Sequence, residues 1–252
     1  MMLEAVLLVP LAAAAVLALV PSWRVAAGLN AAASLLTLLA AAALVQDRPA
    51  PGGLLFVDDL GLVFLVPGAF MGLTTSLFSA RYIAHEVHSG RLTARALRFY
   101  HAMFQLMTFG MTLALLANNI GLMWVALELA TLAGVLMVGL FRTRAAIEAA
   151  WKYFILGSVG IALALFGTIL VYLAARDVLG GGGEGGDAMM WTALLAAAPR
   201  LDPHLLTLAF VFLLIGYGTK IGLVPMHAWL PDAHAEGPTP VSAVLSGLLL
   251  NV

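Results

Sequence analysis

Two lysines and one carboxylate stand inside apolar runs of this sequence, where an ionisable side chain is costly. Lys220 lies in LLTLAFVFLLIGYGTKIGLVPMHAWL, Lys152 in AAWKYFILGSVGIALALFGTILVY and Glu128 in NIGLMWVALELATLAGVLMVGL. A charge at the centre of a bilayer helix costs about 2.5–3.5 kcal/mol on insertion scales. The chain has no other lysines, and its arginines fall in or beside the connectors. Desolvation drives amines and carboxyls toward their neutral forms, so a buried set of both can trade a proton near neutral pH. Proton transfer is therefore the chemistry these residues point to.

Their neighbours sharpen that reading. Trp124 at i−4 and Thr131 at i+3 share a helix face with Glu128, whose alternative role is a structural tie to a neighbouring helix. Lys220 is flanked by Gly216, Gly218 and Gly222, with Pro225 following. Glycine weakens a helix and proline interrupts it, so a break beside a charge at membrane depth is expected here, with Pro225 as its marker. The competing role for Lys220 is an amine snorkelling to the inner surface. Lys152 lies early in its helix with Glu148 at i−4, and a surface ion pair and a relay station are equally open readings. Gly157, Gly160, Ala164 and Gly167 mark a face for close helix approach.

His227 and His234 bracket LPDA, with Asp232 between them. Without HExxH spacing this is a poor metal site, and a proton inlet of imidazoles titrating at about 6.5 fits better. His85 and His88 belong to a basic loop, and His101 receives no role. Nucleophile elbows, P-loops and zinc signatures are missing, so no catalytic centre and no metal are expected.

Such residues need a membrane scaffold. Hydrophobic residues make up 63% of the 252, charged residues 10%, and the mean hydropathy is +1.04. An ordinary soluble domain is about half apolar and a quarter charged. Apolar segments over roughly 3–20, 24–45, 60–80, 99–117, 119–141, 148–175, 204–224 and 240–252 predict an all-α, polytopic transmembrane bundle of about eight segments. The sequence MMLE carries no basic region, so the first run reads as a retained helix rather than a signal peptide. With the N-terminus outside, seven arginines (24, 81, 91, 95, 98, 142 and 144) lie inside and three (48, 176 and 200) outside, as the positive-inside rule prefers. Gly180–Gly183, Glu184, Gly185 and Gly186 lack phosphate-loop spacing and read as a flexible outer linker. A net charge of −1 and no basic tail leave no case for nucleic acid. The chain has no cysteine, which excludes disulfides, cysteine-ligated iron–sulfur clusters and c-type haem attachment. No cofactor is expected, and any electrons would travel through a partner. The last apolar run stops 13 residues after Thr239, short of a full span, which reads as a C-terminal truncation.

Three strings are familiar: WVALELATLAGVLMVGL, RTRAAIEAAWKYFILGSVG and GYGTKIGLVPMHAWLPDAHAEGPTPVSAVLSG. Together they resemble the antiporter-like proton-translocating subunits of respiratory complex I. That family also includes membrane subunits of energy-converting hydrogenases and of multisubunit sodium/proton antiporters. KYFILGSVGIALALFGT and LLIGYGTKIGLVPMHAWLPDAH are most similar to the hydrogenase component F type. The resemblance is specific over about 118–250 and weaker before it. It implies roughly fourteen helices in two inverted repeats, each with a broken helix, of which this chain would hold the first part. Residues 1–98 would then be three N-terminal helices with a basic inside loop, and 99–252 the first antiporter-like repeat with its eighth helix incomplete. By resemblance, Glu128 matches the fifth-helix glutamate, Lys152 the sixth-helix lysine and Lys220 the lysine of the broken seventh helix. In the family these form a half-channel in which a protonated lysine is switched by its glutamate. Some relatives carry lysine where this chain has Asn251 and others histidine where it has Ser246, so neither eighth-helix position titrates here.

The function implied is a proton-translocating subunit of a redox-driven complex in the cell's inner membrane, of the NADH:quinone oxidoreductase or hydrogenase type. Its partners would be other membrane subunits, the lipid bilayer, and protons or sodium ions. The alternatives are a cation/proton antiporter subunit without redox coupling, and a structural anchor or non-functional fragment.

Overall fold

The computed structural model describes residues 2–50, 53–180 and 187–251. Among these residues ten α-helices follow one another: α1 (Met2–Leu17), α2 (Trp23–Gln46), α3 (Asp59–His88), α4 (Ala94–Leu116), α5 (Ile120–Val138), α6 (Arg144–Leu179), α7 (Trp191–Ala197), α8 (Pro203–Ile221), α9 (Trp229–Glu236) and α10 (Thr239–Gly247). Six of them, α2 to α6 and α8, are long and apolar enough to cross a membrane, while α1 and the α10 segment are shorter apolar helices. Among the described residues there are no strands, only the isolated bridges Leu55–Ala117 and Asn119–Met190. The expected outer glycine linker lies, apart from Gly180, outside the described residues.

Side chains are distributed as a bilayer demands. Large apolar residues such as Val63, Phe70, Val125, Val159 and Phe210 point outward, whereas Asn30, Ser34, Thr75, Ser79 and Gln105 are buried. In lipid the outward apolar surface costs nothing, and polar groups must find partners inside the bundle. Gln105 Nε2 does so by donating to Asn30 Oδ1 at 2.8 Å and Ser34 Oγ at 3.0 Å, tying α4 to α2.

Two helix ends differ from the hydropathy reading. The connector expected from residue 81 is helical as far as His88. Apolar character stops there but the backbone ladder does not, and buried Glu86 takes Arg91 at 2.7 Å just beyond the helix end. The connector between α6 and α8 holds the short helix α7, which packs Leu194 and Ala197 near Ala175 of α6. Seven residues are too few to register as an apolar span.

The seam between α6 and α8 governs the site. The small residues of α6 meet α8 as expected: a Cβ on Gly160 would lie 2.8 Å from Thr219, and one on Gly216 would lie 2.5 Å from the backbone nitrogen of Ala164. Backbone cannot swing aside as a flexible side chain can. Gly216→Ala is therefore expected to cost about 2 kcal/mol through overpacking. Gly28→Ala, where nothing lies within 4 Å of the new methyl, should be neutral or stabilising. Denaturation in detergent compares the two, and equal stabilities would show that the seam does not need the close approach.

Candidate functional site

Lys220 occupies the last turn of α8 and is only 4% exposed. The helix stops one residue later because Gly222 takes a left-handed conformation, φ 79°, and its N–H returns to the Gly218 and Thr219 carbonyls. Glycine adopts that conformation without steric cost. Non-helical chain then leads to α9, so the expected break beside Lys220 is present, with Pro225 inside it. Trp229 steadies the far side, its indole N–H donating to the Thr219 carbonyl at 2.9 Å.

The amine crosses to α5. Nζ donates to the Thr131 hydroxyl and lies 3.4 Å from the Leu127 carbonyl, while the Thr131 hydroxyl donates to that same carbonyl at 2.7 Å. Glu128 sits between these two contacts in sequence, and its Oε2 is buried with no hydrogen-bond partner in the protein. Glu128 and Thr131 are three residues apart on α5, so the carboxylate shares a helix face with the hydroxyl that holds the amine, without a hydrogen bond or ion pair between Glu128 and Lys220 themselves. Trp124, one turn before Glu128, donates its indole N–H to the Ile161 carbonyl of α6 at 2.7 Å and fixes the face that Glu128 shares.

Depth follows from helix geometry. Glu128 is the ninth of the 19 residues of α5, close to mid-helix. On the facing α6, Gly157 approaches Thr131 and Gly160 approaches Thr219. These glycines lie about 20–24 Å along α6 from Arg144 at 1.5 Å per residue. Glu128 and Lys220 therefore face the middle stretches of the apolar helices α5 and α6 rather than their ends.

Lys152 stands apart, about 12 Å along the same helix. Its side chain is 47% exposed, and Nζ pairs with Glu148 at 2.9 Å and with Asp232 of α9 at 2.7 Å. The helix-surface pair with Glu148 was legible in the sequence, whereas Asp232 is distant in the chain. His227 lies in the break with a buried, unpartnered Nδ1. His234 is partly buried on α9, which lowers its imidazole pKa, and its carbonyl accepts from Ser242 at 2.9 Å. Neither histidine has a side-chain hydrogen bond to Glu128 or Lys220. The described residues gather no group of three His, Asp or Glu side chains fit to hold a metal. Asn251, just beyond α10, donates its side-chain amide to the Ser246 backbone carbonyl at 3.0 Å.

Tyr153 went unremarked in the sequence. It is fully buried, its ring stacks on Trp229 with centroids 4.3 Å apart, and its hydroxyl has no partner. That hydroxyl would touch a Cβ on Gly134 at 3.2 Å, which places it against α5 below Thr131. A Trp in a connector and a Tyr beside a lysine carry no sequence signal that they will meet.

Residues 117–252 match the model of the NADH:quinone oxidoreductase/Mrp antiporter transmembrane family. The chain belongs to that family. All three ionisable residues of the apolar runs fall inside the matched region. A hydrogenase-4 component F homolog of Methylacidiphilum infernorum is 55% identical over 248 residues, covering 98% of this chain and 52% of that protein. Subunit N of the F(420)H(2) dehydrogenase of Methanosarcina mazei is 33% identical over 199 residues, covering 76% of this chain and 36% of that one. Among solved structures, a chain of respiratory complex I from Thermus thermophilus aligns with a TM-score of 0.73 at 26% identity, over all of this chain and 53% of that one. A chain of the archaeal membrane-bound sulfane sulfur reductase aligns with a TM-score of 0.82 at 21% identity, over 98% of this chain and 50% of that one, a likeness of fold. The chain thus spans about half the length of the hydrogenase-4 component F homolog and of the two solved chains it matches. It is a multi-pass membrane protein of this antiporter-like family.

Proposed function

We propose that this chain supplies a proton-translocating half-channel to a redox-driven membrane complex of the NADH:quinone oxidoreductase or hydrogenase type. The observation that carries the reading is the Lys220 amine, held at membrane depth on α5 one turn from an unpartnered Glu128 oxygen. In the proposed step the ammonium gives up a proton along a path away from Glu128 when the carboxylate no longer stabilises its charge. It regains one when the ionised carboxylate returns. Thr131 holds the amine in place between these states. Lys152, His227 and His234, with Asp232, form the approach at the start of α6, in the break and on α9. The preponderance of arginines at the 81–98 and 142–144 turns supports an N-terminus on the outer side of the cell membrane. Electrons, and any quinone or hydrogenase chemistry, belong to partner subunits, because this chain offers no cysteine or haem motif.

The deciding measurement is proton movement in vesicles containing the complete complex. Acidification driven by the electron donor, with a fixed number of protons per electron, is the expected result. Proton movement driven by an imposed sodium gradient and indifferent to electron flow would assign the chain to cation/proton antiport instead.

A further inference from the structure

A half-open cavity lies away from the relay, on the outer wall of the bundle at its arginine-rich end. It encloses about 740 Å³ between the turn before α4, the end of α5 and the start of α6. Arg91, Arg95 and Arg142 stand at its rim, and Phe99, Trp151 and Phe154 line it. Arg91 is engaged with Glu86. The Arg95 and Arg142 side chains are exposed and have no hydrogen-bond or ion-pair partner among the described residues.

The layout of the cavity matches one chemistry. From Arg144 at the start of α6, Ile147, Trp151 and Phe154 descend about 4, 10 and 15 Å along the helix. Fifteen ångströms is about one leaflet of hydrocarbon. A ligand filling the cavity therefore presents an anion to two free guanidinium groups at the headgroup level and an apolar body along aromatic walls below. Guanidinium binds phosphate through paired N–H donors, and basic pockets between helices at this end of a membrane protein suit anionic headgroups. Arg142 is the one non-glycine residue with a positive φ, 55°, among those described, and this left-handed residue ends the 3-10 turn Gly139–Phe141 at the cavity rim.

We infer that this cavity is a binding site for one anionic phospholipid, its phosphate on Arg95 and Arg142 and its acyl chains along Phe99, Trp151 and Phe154. The inference does not depend on what the relay carries.

Trp151 is a built-in probe, being 57% exposed to the cavity side of the bundle. The full chain is placed in phosphatidylcholine nanodiscs containing either phosphatidylglycerol or phosphatidylcholine with brominated acyl chains, and tryptophan emission is followed. The part assigned to Trp151 is found by comparison with Trp151→Phe. Brominated phosphatidylglycerol should quench it at a roughly tenfold lower mole fraction than brominated phosphatidylcholine, as expected for two basic contacts. Arg95→Gln with Arg142→Gln should abolish that preference. Arg142→Gly alone should weaken it while leaving the fold at least as stable, because glycine removes the backbone strain. Equal quenching by the two lipids would overturn the site, as would a preference that survives the double substitution. Protection of Trp151 from both lipids would mean that a protein surface sits there instead, and would overturn it equally.

Discussion

Proton translocation is expected to fall below about one-tenth of its normal level when Lys220 is replaced by arginine in the complete complex, nearly as low as with alanine. Arginine keeps the positive charge and much of the reach, but it does not release its proton under any condition the protein meets. A relay requires that release. A charge that merely anchors α8 to Thr131 and the Leu127 carbonyl does not, and arginine could replace it, since guanidinium donates to both acceptor types. The variants therefore separate two roles that alanine alone would confuse. Protons per electron should be measured alongside assembly of the complex, so that a folding failure is not mistaken for a transport defect. Full pumping by Lys220→Arg would remove the relay from consideration.

The second large effect is expected at Glu128. Glu128→Gln is nearly isosteric and keeps hydrogen-bonding capacity, so the α5–α6 packing fixed by Trp124 should survive. It removes the charge that acts on Lys220. Most translocation should disappear while electron transfer and assembly persist. Glu128→Asp keeps the charge and shortens the side chain by one methylene, so its loss should be milder. If Glu128→Gln leaves the proton-to-electron ratio unchanged, the carboxyl is a structural tie between helices.

Much of this site could be read from local spacing. The i−4 and i+3 relation of Trp124 and Thr131 to Glu128 placed all three on one face, and that face meets α6 and α8. The glycines around Lys220 announced the break, because glycine weakens a helix whatever its tertiary surroundings. The small-residue face of α6 likewise announced a close neighbour. What stayed hidden depends on long-range packing. Lys152 showed its Glu148 partner at helical spacing but not Asp232, which the turn of the chain after Gly222 brings back onto α6. Tyr153 and Trp229 meet for the same reason. His101, given no role from its sequence, is 1% exposed, its ring edge-on to Tyr100 at 5.2 Å. Helix ends were misjudged where apolar character and backbone hydrogen bonding stop at different residues, as in α3.

The turn between α4 and α5 has a mechanical consequence. Asn118 is buried and ties its turn to two other segments, the loop before α3 and the first turn of α7: its amide nitrogen donates to the Gly53 carbonyl at 3.0 Å and to Thr192 Oγ1 at 3.1 Å, and its amide oxygen accepts from the Thr192 N–H at 3.1 Å. Asn119 then caps α5, accepting from Gly121 and Leu122. The helix carrying Glu128 is thereby bolted to its surroundings at its end, while the helix carrying Lys220 ends in an unwound glycine turn. That turn lies beyond Lys220, whose helix is itself held by the α6–α8 seam at Gly160 and Gly216, so a change in the separation of carboxylate and amine falls to the two side chains rather than to either helix.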